Sequence, residues 1–267
     1  MGRRASVSDR KVPSGRQALA ARVAASAAAR LATLAAGALR RALVPGALGL
    51  LLLSPPPAAA GAWPREEGRR FISLSQELVR QPGGTLTGYA GFLMEQGLGG
   101  NLTVGIEAGK PTGPPGGRWQ ALFFLRGAIP NPSEIRAAWS LALGFHGVTG
   151  GKIGRARPVI RPALHLGRGL SLGSRHGWLA LDASAALSPG DRAIWKMDTT
   201  LGIRADRDRL WFVQLQANRY PGARPRLRIV PTHVRRLSRR VHLELALAFD
   251  ARAPRRTALK IGSWVEF

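Results

Sequence analysis

Charged side chains recur at alternate positions from Glu77 onward, on segments whose other positions are mostly apolar. The acids of this pattern are Glu77, Glu95, Glu107, Asp182, Asp198, Glu244, Asp250 and Glu266, and the bases are Arg126, Arg136, Arg161, Lys196, Arg204, Arg226, Arg228 and Lys260. On one enclosed face they would neutralise each other as ion pairs, because an unpaired buried charge is costly. They can equally line a constriction that selects ions by charge. The sequence leaves both roles open.

Serine and histidine are the other residue types with chemistry to offer. A hydrolase needs at least a Ser–His pair within hydrogen-bond reach. The available residues are His146, His165, His233 and His242 with Ser140, Ser184 or Ser238. None of them belongs to a motif that fixes such geometry, so we assign no catalytic residue. Apart from Glu244 and Asp250, the acids are spread one per segment, and the chain has no cysteine, so we predict no metal site and no cofactor.

The elements that hold these residues are predicted to be β-strands. The chain shows apolar residues at period two, which places alternate side chains on opposite faces of a strand. In the clearest stretch, Val241 to Asp250, every odd position is apolar. The pattern predicts twelve strands, at 71–79, 85–97, 102–107, 119–129, 135–146, 158–167, 179–187, 195–204, 211–218, 226–235, 241–250 and 257–267.

The links between these strands are short and rich in Gly, Pro and Asp, for example KPTGPPGG at 110–117. They leave no room for helical crossovers, so neighbouring strands should pair antiparallel. A count of ten is possible if the first two segments merge into a periplasmic stretch.

The two faces of the strands separate a membrane barrel from a soluble sandwich. The polar face is mostly Gly, Ala, Ser and Thr with a few charges, which suits a crowded barrel interior. Aromatic side chains stand at strand ends on the apolar face, as an interfacial girdle requires. The girdle residues are Trp119, Phe145, Trp195, Trp211 and Phe249.

The last strand carries its apolar face to the carboxyl terminus, through Leu259, Ile261, Val265 and Phe267. Here the chain resembles the bacterial outer-membrane β-barrel proteins, whose last strand closes the barrel and ends in Phe. The segments AWPREEGRRFISLSQE and EQGLGGNLTVGIEAG are also similar to uncharacterised exported barrels of alphaproteobacteria. The resemblance implies that these four residues are the signal read by the barrel-insertion machinery, from which Ser263 departs. It implies no activity.

A closed barrel also follows from the lipid environment that the apolar strand faces require. Lipid offers no partner for unpaired backbone groups, so only closure satisfies every strand edge. We therefore predict an all-β, transmembrane antiparallel barrel over residues 71–267, preceded by a short periplasmic lead-in at 63–70. An even number of strands would place both barrel termini in the periplasm.

Residues 1–62 have the order of an export signal: a basic region, the uncharged run Ala42 to Ser54, and small residues around Ala60. The run of about 13 residues is shorter than the roughly 20 that span a bilayer as a helix. The long Ala/Arg/Ser-rich region also fits an organellar transit peptide. An export leader followed by a membrane barrel predicts an integral protein of the bacterial outer membrane.

The net charge of +25 comes from 40 Lys and Arg against 15 Asp and Glu. We expect the excess arginines to lie in turns and loops, where their guanidinium groups meet lipid headgroups and the phosphates of outer-leaflet glycolipid. Nucleic acid is not an expected partner, because the basic groups do not interleave with aromatic residues on one face.

The sequence thus predicts a narrow pore, or a structural membrane protein, with a charged and mostly filled lumen. Twelve strands lie between the small filled barrels and the wide porins. One alternative is an outer-membrane lipid hydrolase, and another is a soluble, basic, nucleic-acid-binding β protein.

Overall fold

The structure is a computed structural model that describes residues 61–81, 84–113, 117–150 and 156–267. The predicted leader, residues 1–62, lies outside these ranges except for Gly61 and Ala62. The strands of the described chain are β1 Arg70–Arg80, β2 Leu86–Gly99, β3 Leu102–Thr112, β4 Arg118–Ile129, β5 Ile135–Val148, β6 Arg157–Leu172, β7 Arg175–Ala186, β8 Ile194–Arg204, β9 Arg209–Arg219, β10 Arg226–Arg236, β11 Val241–Asp250 and β12 Ala253–Glu266.

The twelve strands form one closed barrel, in which each strand pairs antiparallel with its neighbours in sequence. The first and last strands close it, with Phe71 opposite Glu266 and Val79 opposite Ala258. Phe267 and Arg70 add two backbone hydrogen bonds, at 3.0 and 3.3 Å. The predicted fold class and count of twelve are confirmed, and β1 and β2 both belong to the barrel. We call the end where β1 begins and β12 ends the proximal end, and the other the distal end.

The alternation of residue types explains which side chains face outward. Large apolar residues point away from the barrel, as Phe123, Leu143 and Leu201 show with more than half of their surface exposed. Alanines such as Ala138 and Ala180 point inward and are fully buried. Small inward residues leave space in the interior for the long charged side chains. No helix in the described ranges is long and apolar enough to cross a membrane.

Several strands are longer than the sequence predicted, and β3 and β6 gain the most residues. Strand β3 continues to Thr112 through residues that we expected in a link, because β2 supplies partners as far as Gly88. Strand β6 continues to Leu172, where it pairs with Arg175 of β7. Gly109 and Pro111 interrupt the apolar pattern in β3, and Arg168 and Gly169 do so in β6, while backbone pairing continues.

The outward face provides a test of the membrane-spanning prediction. Leu143 lies near the middle of β5 and is 53% exposed, whereas Leu237 lies in the β10–β11 turn and is 60% exposed. We expect Leu143→Arg to lower the free energy of unfolding from lipid vesicles by about 2–4 kcal/mol, because a charge is placed at the bilayer midplane. Leu237→Arg should change it by about 1 kcal/mol or less. Denaturant titration of the vesicle-bound protein measures both, and equal costs would contradict a lipid-facing exterior.

Candidate functional site in the barrel interior

The candidate site is the barrel interior, where most of the predicted lumen residues form ion pairs. Arg126 binds Glu95 at 2.8 Å, Lys260 binds Glu244 at 2.8 Å, and Lys196 binds Asp198 at 2.9 Å. Glu95 and Glu244 are almost completely buried. Among the other predicted lumen residues, Arg136 is exposed at the proximal end. Arg204 lies close enough to Glu266 for electrostatic attraction.

Several of these pairs join strands that are not neighbours, so they cross the lumen. Both terminal nitrogens of Arg161 on β6 donate to Glu107 on β3, at 3.0 and 2.5 Å. Arg228 on β10 donates to Glu77 on β1 at 2.8 Å. The residue pattern of a single strand does not determine such contacts, because they depend on the curvature of the closed sheet.

The segment that precedes β1 lies inside the barrel rather than outside it. We name Gly61 to Arg69 the inner segment. The Arg65 side chain donates to Glu95 at 2.7 Å, and the Arg65 backbone N–H donates to the buried Thr103 hydroxyl at 2.7 Å. Ala62 is 2% exposed. The periplasmic location of residues 63–70 stays a prediction. The Arg65 side chain lies in the lumen, where the buried Glu95 binds it and Arg126.

The inner segment enters from the proximal end, where it is fixed by backbone pairing. Gly68 donates to the Gly97 carbonyl at 3.2 Å, and Gly97 donates to the Arg69 carbonyl at 2.9 Å. Further in, the Trp63 ring packs on Gly167, where a β-carbon would lie 2.2 Å from the indole. A larger residue at 167 would therefore displace the tryptophan.

An apolar cluster surrounds this segment in the proximal half of the lumen. Its buried members are Phe71, Trp178, Ala180, Leu210, Phe212, Val234 and Trp264, with Trp63 and Leu93 packed against them. Aromatic ring centroids lie 6.0 to 6.3 Å apart, and the Trp264 indole donates to Glu244 at 2.9 Å. The sequence pattern predicts a charged lumen and does not reveal this cluster, because its members are single large residues on otherwise small or polar inward faces.

Open space remains among the described residues of the barrel. A central cavity of about 340 Å³ is lined by Gly61 and Arg65 of the inner segment and by side chains of the surrounding strands. A second cavity of about 620 Å³ lies at the distal end. Its charged lining residues are Glu77, Arg224, Arg226, Arg228, Asp250 and Arg252. Four arginines against two acids give this mouth a net positive charge.

Among the Ser and His residues considered from the sequence, the structure brings one pair together with an acid. The Ser140 hydroxyl lies 2.9 Å from His165 Nε2, and His165 Nδ1 lies 2.6 Å from Asp182. All three residues line the central cavity. His146 instead contacts Ser188 at 2.8 Å, and the His233 ring stacks on the outward Trp211. Ser184 lines the same cavity, and Ser238 belongs to the β10–β11 turn.

The predicted girdle residues lie on the outside of the barrel near strand ends. Phe145, Trp195 and Trp211 are more than half exposed, Phe249 is 38% exposed, and Trp119 is half-buried against Gly147. In β12, Leu259 and Ile261 are exposed, as is the terminal Phe267. Val265 of the same strand is half-buried. Whether these residues act as a girdle and as an insertion signal stays a prediction.

The comparisons with known proteins concern the fold. No protein-family profile matches the chain, and no curated protein matches it. Among solved structures, it is similar to a KdgM porin, with a TM-score of 0.56 and 9% identity over 74% of this chain and 99% of that one.

A NanC porin gives a TM-score of 0.53, with 7% identity over 73% of this chain and 98% of that one. The COG4313 outer membrane channel of Pseudomonas putida F1 gives 0.55, with 10% identity over 78% and 99%. The described chain thus has an all-β, closed, twelve-stranded antiparallel fold like that of the KdgM and NanC porins.

Proposed function

We propose that the protein is a narrow channel of the bacterial outer membrane that admits small anions and is restricted by its inner segment. The observation that carries the proposal is a closed barrel with an apolar exterior and an interior of paired charges. A water-soluble protein does not place such a band of large apolar side chains on its surface. The apolar exterior therefore argues against the soluble nucleic-acid-binding alternative.

The arrangement of the chain supports an orientation with the proximal end in the periplasm. Both barrel termini lie at this end, and an export leader would deliver them there. The insertion machinery would then bind the β12 face during assembly. The exposed arginines of the turns and rims, such as Arg207 and Arg239 at the proximal end, would contact lipid headgroups. Those at the distal end would contact glycolipid phosphates.

The interior supports a channel that is narrow rather than wide. The apolar cluster and the inner segment fill the proximal half, and ion pairs cross the middle. A continuous path therefore requires the inner segment to shift. Its contacts with Glu95 and Thr103 make it a gate that is held by hydrogen bonds.

The distal mouth supports a preference for anions. Its four arginines outnumber its two acids, and a charged entrance concentrates counter-ions before they reach a constriction. One structural neighbour, the KdgM porin, was also solved in complex with disordered oligogalacturonate.

The gate is tested by single-channel recording of the mature protein in planar bilayers. Arg65→Gln removes a charged hydrogen bond to Glu95 that is worth about 1.5–3 kcal/mol, so we expect the open fraction to rise about tenfold or more. Arg69→Gln is the matched control, because the Arg69 side chain is 67% exposed and makes only a weak ion pair, with its Nε 3.9 Å from the Glu66 carboxylate. It should leave the open fraction unchanged. If the two variants behave alike, the inner segment does not close the pore.

Selectivity is tested by the reversal potential in a salt gradient. We expect the wild-type channel to favour chloride over potassium, and the double variant Arg224→Glu with Arg252→Glu to favour potassium. Arg175→Glu, an exposed residue of the proximal end, is the control and should keep the chloride preference. The difference in ion selectivity between the wild type and the double variant should shrink at 1 M salt, where charges are screened within about 3 Å. A chain that conducts no ions in any variant would instead have a structural role.

A further inference from the structure

We propose that Ser140, His165, Asp182 and Arg126 form a serine esterase site that opens into the central cavity of the barrel. The proposal concerns chemistry inside the lumen, and it does not depend on whether the protein conducts ions. It also differs from the lipid hydrolase considered above, because all four side chains point away from the lipid-facing surface.

The hydrogen-bond order matches what a nucleophilic serine requires. The Asp182 carboxylate can only accept a hydrogen bond, so His165 Nδ1, at 2.6 Å, carries the proton. Nε2 of the neutral ring is then the acceptor for the Ser140 hydroxyl at 2.9 Å. This is the arrangement in which a base removes a proton from serine and an acid holds the base in the correct tautomer.

Strand register fixes this order in a rigid part of the sheet. His165 of β6 lies directly opposite Asp182 of β7. Ser140 of β5 lies opposite Ala163, two residues from His165 on the same face. His165 is 8% exposed. Gly61 packs over the His–Asp hydrogen bond, where a β-carbon would lie 2.0 Å from Nδ1 and 2.4 Å from the Asp182 oxygen. Gly61 belongs to the predicted leader, so this bond is covered while residues 1–62 are attached and would be exposed once they are removed.

Arg126 supplies the group that an acyl-transfer site needs beside the nucleophile. It lies directly opposite Ser140 in the β4–β5 register, which places the two β-carbons about 5 Å apart. Its Nη1 binds Glu95, while its Nε is buried and has no hydrogen-bond partner in the part of the chain that is described. A buried donor without a partner costs free energy. An oxyanion formed at Ser140 would satisfy this donor.

These groups complete a balanced reaction with water as the only co-reactant. Ser140 Oγ attacks the ester carbonyl while its proton passes to His165 Nε2, and Arg126 Nε–H stabilises the oxyanion. The bond to the alcohol oxygen then breaks as His165 returns the proton to that oxygen. Water attacks the acyl-serine by the same route, releasing the carboxylic acid and restoring Ser140.

The cavity limits the substrate to a small, water-soluble ester with a short acyl chain. Its volume of about 340 Å³ is at the lower end of small-molecule sites. Leu93 and Phe124 provide apolar walls for the acyl group. A phospholipid in the bilayer has no access to a serine inside the barrel.

The site is tested by reacting the folded mature protein in detergent with diisopropyl fluorophosphate and mapping the adduct by mass spectrometry. We expect the adduct on Ser140, and none in Ser140→Ala. His165→Gln should slow labelling by about 10²–10⁴-fold, as expected for loss of a general base. Ser184→Ala is the matched control and should label at the wild-type rate, since Ser184 lines the same cavity without a hydrogen bond to His165. Heat-modifiable gel mobility verifies that each variant is folded.

The roles of Asp182 and Arg126 need measurements whose outcome differs from that of a simple loss of structure. Asp182→Asn should lose labelling while staying folded, and Asp182→Glu should recover part of it. Arg126→Lys keeps a cation for Glu95 but lacks the Nε donor, so labelling should fall about 10²–10³-fold. Hydrolysis of p-nitrophenyl acetate should disappear in Ser140→Ala. An adduct elsewhere, or no adduct in either the wild type or Trp63→Ala, which loosens the inner segment, would overturn the proposal.

Discussion

Pairing of β1 with β12 is the constraint on which the rest of the structure depends. With it, every strand edge is satisfied by another strand, and the twelve-stranded sheet encloses a lumen of fixed size. An open sheet with the same two faces would leave two edges and an apolar surface to aggregate. Because closure turns one face entirely inward, the residues on that face must fill space or neutralise each other.

The interior meets this demand in two ways that divide the lumen. Near the proximal end, aromatic rings and the inner segment exclude water. In the middle, charges that would be costly alone are held in pairs across the lumen, as between Glu107 and Arg161. The lumen is therefore not an unobstructed pore, and both passage and chemistry are confined to the spaces that remain between these groups.

The sequence predicted the barrel well because period two is a property of single strands. The face on which a residue such as Leu143 or Ala142 lies follows from the residue types next to it in the sequence. The strands, their antiparallel order and their inward charges could therefore be predicted. Contacts across the lumen could not, since they depend on which strands face each other after closure. The contacts of the inner segment could not be predicted for the same reason: Arg65 lies in a stretch without alternation, and its partners Glu95 and Thr103 are distant in sequence. The pairing of His165 with Asp182 needed the β6–β7 register, which the sequence does not specify.

Arg126 is where the gate and the serine site meet. Glu95 divides its two carboxylate oxygens between Arg126 and Arg65 of the inner segment. While Arg65 occupies one oxygen, Arg126 can bind only the other, and its Nε–H remains available beside Ser140. If the inner segment withdraws, both oxygens become available to Arg126, whose planar fork favours two parallel hydrogen bonds to a carboxylate. Because Nη1 already binds Glu95, the second hydrogen bond would come from Nη2, so the Nε–H would stay available beside Ser140. Withdrawal of the inner segment would therefore open the passage without removing the Arg126 donor from the serine site.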